Sequence, residues 1–119
     1  MYKIDSRKIK KGDTFICLPG GEPFIEQAKN NGAVAVKKMS RQAMGQFFKT
    51  YYNDPSSKLK VIGVTGTNGK TSVTHYVHNA LLELGHKSYV LGTLNSSLTT
   101  PESIDSLCLM NEHLKQSGE

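Results

Sequence analysis

Apolar and polar positions along the chain fall into two successive strand–helix–strand runs. After a short polar opening, Thr14-Phe15-Ile16-Cys17-Leu18 reads as a strand closed by Pro19-Gly20-Gly21. Pro23 to Asn31 predicts a short helix with Phe24, Ile25 and Ala28 on one face. Asn31-Gly32 ends it, because both residues tolerate left-handed backbone. Ala33-Val34-Ala35-Val36 follows as a second strand, so this run predicts a small parallel sheet. From Arg41 to Tyr52, Met44, Phe47, Phe48 and Tyr51 recur three to four apart, a helix whose stripe reads as core packing rather than a ligand box.

Asn53-Asp54-Pro55-Ser56-Ser57 is the clearest punctuation in the chain and predicts a boundary. Beyond it, Leu59 to Thr65 reads as a buried strand, Gly66-Thr67-Asn68-Gly69 as a turn, and Lys70 to about Leu84 as a helix stopped by Gly85. Val73, Val77, Ala80, Leu81 and Leu84 form the expected buried stripe of that helix. Ser88 to Leu91 is the next expected strand. Pro101 to about Gln116 predicts a last helix, with Thr100 as cap and Ile104, Leu107 and Leu114 on one face. The expected fold class is therefore α/β: a small β-α-β domain over 1–52, a linker over 53–58, and over 59–119 a second β-α-β piece with a phosphate loop.

Length and composition narrow the class. A chain of 119 residues fits one compact domain or two very small ones. With 37% hydrophobic and 21% charged residues and no low-complexity tract, it is not a disordered segment. No apolar run approaches the roughly 18 residues of a membrane span. Met1 to Asp5 lacks the apolar stretch of a signal peptide. Cys17 and Cys108 are too few for a disulfide scaffold, and both sit among apolar neighbours. These features predict a soluble, cytoplasmic chain with no membrane partner.

The formal charge is +5, which favours anionic partners. Its distribution argues against nucleic acid. The densest cluster, Arg7-Lys8-Ile9-Lys10-Lys11, is short, Lys37-Lys38 is the other adjacent pair, and no aromatics interleave with them for base stacking. A solvated surface comes first, small phosphorylated ligands second.

One segment carries strong chemistry. Gly66-Thr67-Asn68-Gly69-Lys70-Thr71 links an expected strand to an expected helix. Glycines let backbone N–H groups crowd a polyphosphate, and the helix amino terminus adds free donors and the positive end of its dipole. Lys70 supplies a mobile charge for the β- and γ-phosphates, and Thr71 a hydroxyl for Mg²⁺. The general pattern G-x-x-x-x-G-K-[ST] would place glycine at Val64; here the glycines are Gly63 and Gly66. The plainer alternative is a glycine-rich turn with an incidental lysine.

Gly63-Val64-Thr65-Gly66-Thr67-Asn68-Gly69-Lys70-Thr71 resembles the ATP loop of the Mur ligase family, which also lacks that first glycine. Asp5-Ser6-Arg7, then Gly12-Asp13-Thr14-Phe15 and Gly32-Ala33-Val34-Ala35-Val36, resemble the family's amino-terminal uridine-nucleotide domain as found in the MurE and MurF groups. Gly92-Thr93 and Leu98-Thr99-Thr100-Pro101-Glu102 resemble the segment by which the MurE group touches its muramoyl-peptide. The resemblance covers nearly all of the chain and is strongest to the MurE group.

That resemblance implies an ATP-dependent C–N ligase of peptidoglycan synthesis. It would add an amino acid to UDP-N-acetylmuramoyl-L-alanyl-D-glutamate through an acyl phosphate. By the same resemblance, Gly66, Thr67, Asn68, Gly69, Lys70, Thr71 and Ser72 bind ATP, Lys70 is the catalytic charge clamp and Thr71 a Mg²⁺ ligand. Ile4 and Ser6 meet the uridine-nucleotide end, and Thr99 and Thr100 hold the muramoyl-peptide; plain helix capping is the alternative for Thr100. The loop after Leu18 is abbreviated to Gly20-Gly21-Glu22-Pro23 relative to the family. The family also continues well beyond the equivalent of Glu119, into further Mg²⁺ ligands, a carbamylated lysine and a third domain. The resemblance thus implies the first quarter or so of such a ligase, with 59–119 the start of its P-loop parallel-sheet ATPase domain; that incomplete piece would leave sheet edges and apolar faces that predict self-association, and the chain alone is expected to have no turnover. The alternatives are a non-catalytic nucleotide- or UDP-sugar-binding module, a MurF-like ligase, and a generic P-loop NTPase.

Weaker signals stay structural. His75 and His78 lie three apart with no third ligand evident, His86 and His113 have no recognisable partner, and the two cysteines read as buried thiols. No carboxylate pair is spaced for general acid–base work.

Overall fold

Three short parallel strands, β1 (Tyr2–Lys3), β2 (Thr14–Cys17) and β3 (Ala35–Lys38), form a sheet in the order β1-β2-β3. The computed structural model describes residues 1–92 and 101–119. It comprises two units, Met1–Met44 and Gly45–Glu119, which together make a small α/β fold.

The first unit is built on β2. Side chains alternate along a strand, so Phe15 and Cys17 share a face and pack with Ile9 and Ala28, with Ile25, Ala33 and Val36 around them. Two residues offer no alternation to read, which is why β1 escapes the sequence pattern. β3 sits two residues later than its apolar run suggests. Ala33 N donates to Ala28 O at 3.0 Å and Val34 N to Asp13 O at 2.9 Å. Ala33 thus closes the exit from α1 (Ile25–Asn30), Val34 bonds to the residue just before β2, and the ladder starts at Ala35 opposite Thr14. A 3-10 turn over Glu22–Phe24 precedes α1; it leaves Phe24 51% exposed, whereas Ala28 is fully buried.

Gly32 is sterically required. Its φ is +105°, and a Cβ there would lie 2.8 Å from the Cα of Lys11. The close approach lets Gly12 N donate to Gly32 O at 3.1 Å.

The division between units falls inside α2 (Arg41–Tyr51). In the second unit Phe48 is completely buried, with Phe47 edge-on at 5.0 Å and Tyr52 at 6.1 Å. Asn53 and Asp54 then take left-handed φ values of 57° and 46°. Asp54 caps the 3-10 turn over Pro55–Lys58, accepting from Ser57 N at 3.3 Å and Ser56 Oγ at 2.8 Å. The Ser56 hydroxyl, opposed by burial and aided by Lys49, holds the Asp54 carboxyl below its ordinary range. The two remaining helices are α3 (Lys70–Glu83) and α4 (Ser103–Lys115).

Three expectations change here. Leu59 to Thr65 and Ser88 to Leu91 are not strands: among the described residues the sheet holds only β1 to β3, and an extended segment without a neighbour has no ladder to join. The α3 stripe is not buried either, with Val73 47% and Leu84 74% exposed. Val77 and Leu81 instead line a cavity of about 510 Å³, since no strand among the described residues backs the helix. Finally, α4 starts at Ser103 with Glu102 at its cap position, so Pro101 precedes the helix. Ile104 and Leu107 are buried as the pattern predicts. No helix among the described residues is long and apolar enough to cross a membrane.

Candidate functional site

The loop before α3 owes its shape to two glycines. Gly69 takes φ +77° directly before the helix, a conformation that L side chains rarely adopt, and Gly66 takes φ +154°. Gly69 provides no side-chain cap, and the first turn of α3 holds no acidic residue. The opening N–H groups of the helix therefore have neither a capping oxygen nor a neighbouring carboxylate, and the positive end of the dipole is uncompensated. A Cβ at Gly69 would meet nothing within 4 Å, so there is open space against this end.

Lys70 closes the arrangement. Its Nζ donates to the carbonyl oxygen of Gly66 at 2.7 Å, spanning the loop from helix to turn. Thr74 Oγ1 donates to Lys70 O at 2.7 Å, which leaves the Lys70 side chain free of that contact. Lys70 and Thr71 both border a smaller cavity of about 290 Å³, along with Gly63, Thr74, His75 and Gly92. The larger cavity includes none of Gly66 to Ser72. The chemistry of the loop belongs to the smaller one.

These features fit a polyphosphate: uncapped donors, unopposed positive dipole, a lysine ammonium and open space. They also fit Mg²⁺ in a limited way. Thr71 offers a single exposed hydroxyl, and among the described residues no group of three or more His, Cys, Asp or Glu could hold a metal ion. Magnesium characteristically keeps water and phosphate oxygens as most of its ligands, so one protein hydroxyl is compatible with it.

Ile4 and Ser6 lie in the first unit. Ile4 is half-buried beside β1, while Ser6 is buried in a 3-10 turn over Ser6–Lys8. Ser6 Oγ donates to Gln27 Oε1 at 2.6 Å, and Asn31 Nδ2 donates to Ser6 O at 2.9 Å. Asp5 caps the same turn, taking Arg7 N at 3.0 Å, Arg7 Nε at 3.0 Å and the second guanidinium nitrogen at 2.9 Å. The Arg7 guanidinium is the main cause holding the Asp5 carboxyl below its ordinary range. Asp-Ser-Arg is thus a self-bracing turn that fastens the amino-terminal segment to α1. Gln27 and Asn31 were invisible to sequence reasoning: they lie 21 and 25 residues from Ser6 and belong to no local pattern.

Thr99 and Thr100 lie outside the described residues. Three of the four histidines find ordinary partners: His78 Nδ1 is hydrogen-bonded to Ser88 Oγ, His86 Nδ1 to Glu119 Oε2 at 3.0 Å, and His113 Nε2 to Lys87 O at 3.1 Å. Cys17 is buried and its thiol pushed up by desolvation; Cys108 is half-buried beside Tyr52, whose phenol is pushed well up, chiefly by burial.

Comparison with known proteins adds a context for this geometry. The model of the Mur ligase middle domain matches residues 64–119. The UDP-N-acetylmuramoyl-L-alanyl-D-glutamate–2,6-diaminopimelate ligase of Clostridioides difficile (strain 630) is 40% identical, covering 87% of this chain and 27% of that protein. The ligase of the same description from Halalkalibacterium halodurans is 34% identical, covering 85% of this chain and 26% of that one. A solved structure of a UDP-N-acetylmuramoyl-L-alanyl-D-glutamate–2,6-diaminopimelate ligase superposes with a TM-score of 0.69 at 28% identity, over 98% of this chain and 30% of that chain. The chain spans about a quarter of the length of the curated relatives it matches.

Proposed function

The chain belongs to the Mur ligase family, and from that premise we propose that it supplies the uridine-nucleotide-binding and ATP-binding opening of a cytoplasmic ligase of peptidoglycan synthesis. In this reading residues 1–52 form the nucleotide-sugar domain, 53–58 the linker, and 59–119 the start of a P-loop ATPase domain. The substrate is UDP-N-acetylmuramoyl-L-alanyl-D-glutamate, and the amino acid joined to it is 2,6-diaminopimelate, as the names of the relatives suggest.

The observation that carries this reading is the loop of Gly66 to Ser72: Gly69 left-handed and uncapped before α3, with Lys70 Nζ 2.7 Å from Gly66 O. Bound ATP supplies the phosphoryl group that turns a resistant carboxylate into an electrophile. The chain's own residues bind and neutralise. Backbone N–H groups of the loop and of the first turn of α3 take the phosphate oxygens, and Lys70 places a positive charge where negative charge accumulates. Thr71 offers its hydroxyl to Mg²⁺. Ser6, though its proton is committed to Gln27, retains acceptor lone pairs for the uridine-nucleotide end, with Ile4 beside it. Thr99 and Thr100 hold the muramoyl-peptide.

The test is an ¹⁵N-HSQC titration of this chain, first with Mg-ATP and then with UDP-N-acetylmuramoyl-L-alanyl-D-glutamate. Shifts at Gly66 to Ser72 with ATP, and at Ser6, Thr99 and Thr100 with the sugar nucleotide, support the whole reading. ATP shifts without sugar-nucleotide shifts reduce it to a P-loop nucleotide binder. A folded chain that responds to neither ligand defeats it.

A further inference from the structure

A uridine diphosphate that meets Ser6 and Ile4 also brings two phosphates, whose negative charge calls for a cation. Most cations of the first unit are committed elsewhere. Lys3 Nζ lies 3.4 Å from Asp13 Oδ2 and donates to Lys8 O at 2.8 Å. Arg7 is forked onto Asp5 at 3.0 and 2.9 Å, and Lys8 adds to the pull on that carboxylate. Lys37 Nζ stands 5.7 Å from the centre of the Tyr2 ring. Lys10, Lys11 and Lys29 gather at the amino ends of the strands, where Asp13 N donates to Lys10 O, Gly12 N to Gly32 O and Gly32 N to Lys29 O.

Lys38 differs in both face and end. Val36 packs on the cluster of Ile9, Phe15, Cys17 and Ala28, and side chains two apart along a strand share a face. Lys38 therefore stands on the side of the sheet that α1 covers, the side on which Ser6 Oγ meets Gln27, whereas Lys37 stands on the other. It is the last residue of β3, opposite Cys17 at the last rung. Ligands of open α/β sheets bind outside the carboxyl ends of the strands. Burial pushes the Cys17 thiol up, the Glu22 carboxylate adds to the effect and the Lys38 ammonium opposes it, so both charges lie close to that rung. Glu22 accepts from Gly20 N at 3.1 Å; the exposed Lys38 ammonium has no hydrogen bond or ion pair among the described residues.

We propose that Lys38 is a binding residue for the diphosphate of the nucleotide whose uridine meets Ser6. β1 and β3 lie two strand spacings apart, roughly 10 Å, a span that an extended uridine diphosphate covers. The inference rests on the uridine-nucleotide reading of Ser6 and Ile4 and adds to it the group that takes the phosphates.

UDP and uridine, titrated into this chain and followed by NMR, are the probes. With UDP the Ser6 and Lys38 amide signals shift, and Lys38→Ala weakens the affinity by about tenfold. Lys38→Arg retains most of it, and uridine binds both variants as it binds the parent chain. Lys11→Ala removes the same charge at the amino ends of the strands and leaves UDP affinity within about twofold, which separates a contact from the general field of a basic unit. Lys38 is exposed, so its variants keep the fold, which unchanged Ile16 and Cys17 signals check. If UDP shifts Ser6 but Lys38→Ala costs no more than Lys11→Ala, if Lys8→Ala carries the loss instead, or if uridine loses as much as UDP, the proposal falls while the reading of Ser6 stands. If neither probe shifts Ser6, that reading falls and the proposal with it.

Discussion

Lys70 Nζ donates to the carbonyl oxygen of Gly66 at 2.7 Å, tying the first residue of α3 back to the turn that precedes it. The ammonium is thereby held over the loop, beside the uncapped helix end, in advance of any anion. Because the cap position is Gly69, the helix start does not depend on the Lys70 side chain.

Lys70→Ala therefore separates binding from folding. Its affinity for Mg-ATP, measured calorimetrically, falls by about tenfold or more, since a charge-assisted phosphate contact is worth roughly 1.5–3 kcal/mol. Far-UV circular dichroism stays unchanged. An equal loss of helix signal and of binding would mean that the lysine is structural.

Much of this arrangement can be read from residue order, and the reason is local physics. Met44 and Phe48, or Ile104 and Leu107, recur at helical spacing and are buried because that spacing puts them on one face. Gly66-Thr67-Asn68-Gly69-Lys70 declares its turn because the glycine conformations it needs are paid for within six residues. Non-local terms are illegible. Ser6 gives no hint of Gln27, and the two-residue β1 exists only because β2 lies beside it. Leu59 to Thr65 and Ser88 to Leu91 have the composition of strands, yet a strand is a property of a pair, and the pattern of one segment cannot supply its neighbour.

Gly32 and Gly12 make a matched test of why glycine is needed. Both have positive φ, +105° and +95°, but a Cβ at Gly32 meets Lys11 backbone at 2.8 Å while one at Gly12 meets nothing within 4 Å. Gly12→Ala carries only the conformational penalty, about 1 kcal/mol. Gly32→Ala adds a backbone clash worth roughly another 1–3 kcal/mol. Urea unfolding followed by first-unit NMR signals should rank them in that order; equal effects would refute the steric argument.

Asp13 should give the first unit an acid-sensitive contribution. It is buried, accepts from Lys10 N at 2.9 Å and lies 3.4 Å from both Lys3 Nζ and the Met1 ammonium. The Lys10 hydrogen bond, the largest cause, outweighs burial and holds the carboxyl below 3.8. Since the folded state keeps this carboxylate ionised where the unfolded chain protonates it, the contribution is full above the ordinary value. It is lost as pH falls through the lower, folded value. In Asp13→Asn the urea midpoint should depend less on pH across that acidic window. An unchanged acid slope would show that other carboxylates control it.

Ser6 offers the sharpest separation of a structural role from a binding one. Its hydroxyl donates to Gln27 and its carbonyl accepts from Asn31, so it pins the amino-terminal turn to α1 whatever else it does. Ser6→Ala leaves the Gln27 carbonyl without that donor and should destabilise the first unit by about 1 kcal/mol. Gln27→Leu breaks the same bond from the other side but keeps the Ser6 hydroxyl. If Ser6 serves the uridine nucleotide, affinity for UDP-N-acetylmuramoyl-L-alanyl-D-glutamate falls severalfold more in Ser6→Ala than in Gln27→Leu at comparable stability loss. If the serine is only a fastener, the two variants lose affinity alike, in proportion to their loss of stability.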